Sequence, residues 1–333
     1  MTREILKTLQ ALTACPGPPG NEGEVAAAIE KLAAPYVDEC LRDALGNLIC
    51  HKKGSGPRVM FAAHMDSIGF IATHIDEKGF VHFGKVGGLY THSVLHTPVR
   101  FQNGVKGLVT LDEGVEPKEA KLDDLCLDIG AGDEARAKEM VRVGDTAVWD
   151  LPAFAAGNRV VSPYLDNRIS CVALLMAMER LERSENDLYF VFTVQEELGL
   201  RGARTAAYGV DPDYGVAVDV TLADDEPGAK HNASCLLGKG AAVKVMDTSV
   251  IAHPLVVEKL TALAGQAGIP VQRGVIRGGG TDAGAIQQTR AGVYTGGISV
   301  PCRYTHSPVE MADLGDVEAC AALIAAFAAA KLD

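Results

Sequence analysis

Four short apolar runs limit what this chain can fold into: RVMFAA (58–63), LYFVFTV (188–194), GVAVDV (215–220) and VYTGGISV (293–300). Each has the length of a strand and too few polar residues to keep one face in water, which is the pattern of strands buried on both sides. Segments with helical character lie between or after them, notably PLVVEKLTALAGQAG (254–268) and DVEACAALIAAFAAAKL (316–332). NRVVSPYLDNRISCVALLMAMERLE (158–182) reads as a further strand leading into a helix. Strands alternating with helices imply a largely parallel sheet covered on both faces. Residues 3–15 and 22–34 also keep helical spacing, divided by the loop PGPPGN. The expected fold class is α/β, a mostly parallel mixed sheet with helices on both faces.

From about residue 70 the texture changes. GFIATHIDEKGFVHFGKVGG (69–88) and TPVRFQNGVKGLVTLD (97–112) alternate briefly and break at glycines, as a small antiparallel β module does. The expected organisation is one catalytic domain, residues 1–69 and 151–333, with a small β-barrel-like, PDZ-like domain inserted at 70–150.

Composition excludes several classes of partner. The 333-residue chain has a net charge of −12 and no basic stripe, so nucleic acid phosphates would be repelled. No run approaches the roughly 20 apolar residues of a membrane span. The N-terminal segment reads as an amphipathic helix rather than a signal peptide. The eight cysteines form no CxxC pair, as expected for reduced thiols in a cytoplasmic protein.

In open α/β sheets ligands bind beyond the carboxyl ends of the strands. RVMFAA runs into His64 and Asp66, the turn after RVV delivers Asp166, and LYFVFTV runs into Glu196 and Glu197. Asp219 comes near the end of GVAVDV, and His306 follows VYTGGISV. Singly, these have ordinary explanations. Asp166 could cap a helix, the paired glutamates could sit on a helix dipole, Asp219 could begin an Asx-turn, and His64 could be a core-edge histidine. Together at one sheet edge, with no lysine or arginine among them, they need cations. Imidazole with carboxylate suits zinc, cobalt or manganese better than calcium or magnesium. Two histidines and three acids exceed one tetrahedral site and suit two metals sharing a carboxylate.

AAHMDSIGF, YLDNRIS, VQEELGLRGA, AVDVT, GGGTDAGAIQ and CRYTHSPVE occur in that order. With these motifs the chain resembles the tetrahedral (TET) aminopeptidases, a group of di-metal peptidases that includes glutamyl aminopeptidases and members labelled endoglucanase. The resemblance implies the di-metal exopeptidase fold and hydrolysis of N-terminal residues from short peptides. It implies two divalent transition-metal ions per chain, zinc or cobalt first, with manganese, iron and nickel also open. Asp166 would bridge them, with His64 and Asp219 on one and Glu197 and His306 on the other. Glu196 would be the general base, and Asp66 would orient His64. Gly279, Gly280 and Asp282 become candidates for a wall of the substrate cleft. Dimers built partly through the inserted module, gathering into a homododecamer, are also implied. Leu198, where the family usually has valine, is a small departure.

Other features are weaker. LGKGAAV (237–243) is a lesser glycine loop, and His74, His82, His92 and His96 read as surface or fold residues. Arg273 and Arg277 could meet an acidic substrate side chain, but ordinary surface roles suit them better. The competing functions are a related di-metal deacylase or carboxypeptidase, a glycosidase, and a non-enzymatic peptide-binding scaffold. A glycosidase needs carboxylates flanking the bond at about 5–9.5 Å, for which adjacent glutamates are badly placed.

Overall fold

The four apolar runs lie side by side in a computed structural model that describes residues 2–231 and 233–332. Strands Asp187–Thr193, Arg58–His64, Tyr214–Leu222 and Tyr294–Arg303 are parallel neighbours in that order at the centre of an eleven-stranded sheet. The flanks are antiparallel. Leu48–Lys52 pairs with Asp187–Thr193 on one side, while Glu310–Asp313 and then Arg159–Ser162 continue from Tyr294–Arg303 on the other. The sheet is therefore mixed, with its parallel part where all four strands end at the same edge.

Alternation along the central strands feeds two cores, because successive side chains point to opposite faces. Val59, Phe61 and Ala63 join the larger core with helices Thr2–Thr13, Leu165–Arg180, Pro254–Ala267 and Leu314–Ala329. Met60 and Ala62 face the smaller core under helices Arg201–Val210 and Ala283–Gln287. Phe61 stacks on Phe190 at 5.6 Å and meets the edge of Phe327 at 6.2 Å, contacts worth about 0.5–1.5 kcal/mol each beyond area burial.

The glycine-punctuated middle closes into a barrel. Strands Gly69–Ile75, Val81–Val86, Leu125–Asp128, Lys106–Leu111, Pro98–Phe101 and Thr146–Trp149 pair in that order and return to the first, so no strand is left with a free edge. Phe70, Phe101 and Trp149 fill a separate core. Tyr164, from beyond the barrel, packs into it, and its hydroxyl meets the Trp149 N–H.

Candidate active site

The carboxyl edge of the parallel strands is where the predicted residues converge. His64 is the last residue of its strand, and Asp219 lies within Tyr214–Leu222. Glu196 and Glu197 open a single 3₁₀ turn after Asp187–Thr193. Asp166 follows Tyr164, and His306 lies beyond Tyr294–Arg303. The chain leaves these strands sharply: Tyr164, Gln195 and His306 have φ of 65°, 53° and 63°. Left-handed backbone at such residues costs of order 1–3 kcal/mol each and persists where surrounding contacts enforce it.

Asp166 sits between the two histidines. Its Oδ1 is 3.1 Å from His64 Nε2 and its Oδ2 is 3.5 Å from His306 Nε2. Asp219 Oδ1 lies 3.6 Å from His64 Nε2, and Glu197 Oε1 lies 3.4 Å from His306 Nε2. Two donor sets thus share one carboxylate. The helix-cap explanation for Asp166 is not what the structure shows: its carboxylate oxygens face the two imidazoles, and among the described residues no helix N–H donates to them.

Main-chain carbonyls fix both rings. His64 Nδ1 lies 3.2 Å from the Asp66 carbonyl, and His306 Nδ1 lies 3.0 Å from the Gly88 carbonyl. A carbonyl only accepts, so each Nδ1 carries the proton and each Nε2 faces the acids. Asp66 was expected to orient His64. Its carbonyl does so directly, and its carboxylate, 3.5 Å from Nδ1, makes shorter bonds elsewhere. Asp66 Oδ1 accepts from the Glu196 N–H at 3.0 Å and Oδ2 from the Glu197 N–H at 3.1 Å.

Charge in the cluster is unbalanced. Burial opposes protonation of His64, yet Asp219, Asp166 and Asp66 hold it well above the usual imidazole range. His306, opposed in the same way by burial, is pushed up to about 12 by Asp166 and Glu197. Burial raises Glu196, Glu197 and Asp219 above ordinary carboxylates. Among the described residues no lysine or arginine lines the cavity, so the carboxylates draw positive charge either onto the two imidazoles or from a bound cation. His64, Asp166 and Glu197 offer ligand atoms within 4.8 Å of one another and form a group that could hold a metal ion. Nitrogen and oxygen donors of this kind fit a borderline transition metal.

The cavity above this floor has a volume of about 520 Å³. Gly279 and Gly280 line it as expected, together with Tyr90, Leu200, Leu222 and Ile276. Asp282 is not among the lining residues. It is 1% exposed, and its Oδ2 accepts from the Thr193 hydroxyl at 2.5 Å. Arg273 and Arg277 are exposed and do not line the cavity, although Ile276 and Gly278 on either side of Arg277 do. The loop at 237–243 belongs to the scaffold, because the N–H groups of Gly238 and Gly240 both donate to Asp316. His74, His82, His92 and His96 do not line the cavity.

Sequence reasoning passed over two buried acids. Glu310, in the CRYTHSPVE motif, accepts from the N–H groups of Asp166 and His306. Glu22 accepts from those of Gly20 and Gln195. Neither follows an apolar run, which was the signal used.

Residues 46–323 match the M42 glutamyl aminopeptidase family. The chain belongs to that family. A lysyl aminopeptidase of Pyrococcus furiosus is 39% identical over 295 residues, covering 84% of this chain and 84% of that protein. The solved aminopeptidase APDkam598 of Desulfurococcus kamchatkensis superposes with a TM-score of 0.94 at 37% identity, covering 98% of this chain and 95% of that one. The Pyrococcus horikoshii TET1 peptidase superposes at 0.87 with 32% identity, covering 97% and 99%, and is described as assembling into a tetrahedron or a large octahedral shell. The chain is thus an M42 peptidase with the fold of TET aminopeptidases; most of the relatives it matches are named aminopeptidases, and some solved neighbours are labelled endoglucanase.

Proposed function

We propose that the protein is a di-metal aminopeptidase that removes N-terminal residues from short peptides. The observation that carries this reading is Asp166, whose two oxygens face two separate imidazole–carboxylate sets. His64 and Asp219 would hold one ion, His306 and Glu197 the other, and Asp166 both. Zinc or cobalt suits these donors first, with manganese, iron and nickel possible. Bound there, the ions would polarise the scissile carbonyl and bring the pKa of the attacking water toward neutrality.

The protein's own groups do the rest. Glu196, 4.0 Å from His64 Nε2 and outside the shared set, takes a proton from the attacking water and passes it to the leaving amine. Asp66 fixes its position by gripping its main-chain N–H. The acidic floor suits a free α-amino group, which favours an aminopeptidase over a deacylase or carboxypeptidase on the same scaffold. Beyond that floor the wall residues Tyr90, Leu200, Leu222 and Ile276 carry no charge, so an uncharged N-terminal side chain fits best.

Barrel-mediated dimers and a twelve-subunit shell extend the reading, supported by the assembly described for the Pyrococcus horikoshii relative. A cytoplasmic location fits eight free thiols, of which Cys40 and Cys50 face each other across two strands with their sulfurs 2.6 Å apart. Among the described residues no helix is long and apolar enough to cross a membrane.

The test is to load the protein with zinc or cobalt and compare aminoacyl-anilides with N-acyl amino acids. Cleavage of leucyl- over glutamyl- and lysyl-anilide, abolished by chelator and restored by metal, is expected. Activity confined to N-acyl amino acids, or unaffected by chelator, would overturn it.

A further inference from the structure

We propose that Glu310 is a positioning residue that sets the separation of Asp166 and His306 by gripping the main chain at both. The inference rests on reading those two residues as ligands of one ion. Glu310 Oε2 accepts from the Asp166 N–H at 2.8 Å, and Oε1 accepts from the His306 N–H at 2.7 Å. The side chain is 1% exposed and, among the described residues, forms no ion pair with a lysine or arginine. Its carboxylate is committed to these two donors.

Placement makes the grip effective. Glu310 begins strand Glu310–Asp313, where it stands opposite Ser162, the last residue of the strand that delivers Asp166. It also lies four residues after His306, closing the loop that carries the imidazole. One side chain therefore ties two segments whose own sequence separation imposes no geometry. His306 adopts a left-handed backbone, φ 63°, which needs an enforcing contact at its N–H. On the far side of the cluster, Asp66 grips Glu196 and Glu197 in the same way. Three candidate ligands, Asp166, His306 and Glu197, and the candidate base Glu196 are thus held from behind by two buried carboxylates, each spanning two N–H groups.

Glu310→Gln keeps the shape but replaces one acceptor with an NH₂ donor, which must face an N–H. Asp166 and His306 would separate, and the ion between them would lose a properly placed ligand. The ion held by His64 and Asp219 would be disturbed less. Altered support behind a ligand typically costs 10–100-fold in metal affinity.

Calorimetric titration of metal-free protein with cobalt(II), alongside the melting temperature without metal, tests this. Wild type is expected to bind two ions per chain. Glu310→Gln should bind one ion 10–100-fold more weakly and the other, which is affected only through the shared Asp166, by a smaller factor, with its metal-free melting temperature lowered little. If that variant does not fold, Glu310→Asp, which keeps both acceptors but withdraws them by one methylene, should show a smaller selective loss. Unchanged affinity for both ions in the folded variant, or an equal loss for both with a lowered metal-free melting temperature, would overturn the positioning role alone. A wild-type protein that binds fewer than two ions would overturn the two-ion reading and this inference with it.

Discussion

His306 Nδ1 lies 3.0 Å from the carbonyl oxygen of Gly88, so the barrel orients an imidazole carried by the sheet. The neighbouring Gly87 packs against the other side of the same set, since a Cβ there would lie 3.1 Å from Glu197 Oε2. The Gly87–Gly88 link is therefore a wall of the candidate metal site. It has no side chains because none would fit.

Gly88→Ala should accordingly damage the site without disturbing the barrel. The added Cβ would fall 2.3 Å from His306 Nδ1 and 2.7 Å from Cε1, which forces the ring to move. A loss of about 10–100-fold in turnover or metal affinity is expected, the usual consequence of disturbing a ligand's support. Gly132→Ala, where nothing lies within 4 Å of the new Cβ, serves as the control. Equal metal affinity and turnover in both variants would show that the barrel does not position His306.

The paired glutamates are expected to separate by function. Glu196→Gln should retain both ions and lose about 10²–10⁴ in turnover, the usual contribution of a general base. Glu197→Gln should instead weaken binding of the ion beside His306, whose Nε2 is 3.4 Å from Glu197 Oε1. Metal content measured beside kcat distinguishes them. Near-normal turnover of Glu196→Gln at saturating metal would remove Glu196 from the chemistry.

Much of this site was legible in the sequence because strand ends carry chemistry in a parallel sheet. His64, Asp219, Glu196 and Glu197 each lie at or just beyond an apolar run, so reading the residues there found them. Asp282 misled for a physical reason. A Gly-rich stretch signals a turn but not which way the next polar side chain faces, and here it turns inward to Thr193. The grips made by Asp66, Glu310 and Glu22 were illegible as grips, because each acid accepts from at least one main-chain N–H more than 100 residues away in sequence. Gly88 could not be singled out among 36 glycines until the fold placed it against His306.

Glu22 carries a pH-dependent stability term. Burial raises its carboxyl from 4.5 to about 7, so the folded protein holds this proton more tightly than the unfolded chain. The stabilising contribution is fully present below pH 4.5 and is lost as pH rises through about 7. Oε1 accepts both N–H bonds, at 2.9 and 3.2 Å, so the amide oxygen of Glu22→Gln can replace it without burying a charge. The variant should match wild type near pH 4.5 and be more stable at pH 8. Urea unfolding of both proteins without metal measures the difference. A stability gap that does not widen between those two pH values would contradict the assignment.

Assembly is the last expectation. The barrel exposes Leu108 at 44%, and Val143, just after helix Glu134–Met140, is 64% exposed, leaving apolar surface that association could cover. A closed shell needs at least two different contacts on each chain, one self-complementary and one cyclic. The barrel, which has a hydrophobic core of its own, can supply one while the sheet domain supplies the other. Light scattering on metal-loaded protein at micromolar concentration should give a mass near twelve chains of 35.0 kDa. Active sites facing an enclosed chamber should then cleave short peptides and leave the N-termini of folded proteins intact. A mass of one or two chains would refute the shell. If that small species also spared folded proteins, the selection would come from the walled cavity of each subunit rather than from a chamber.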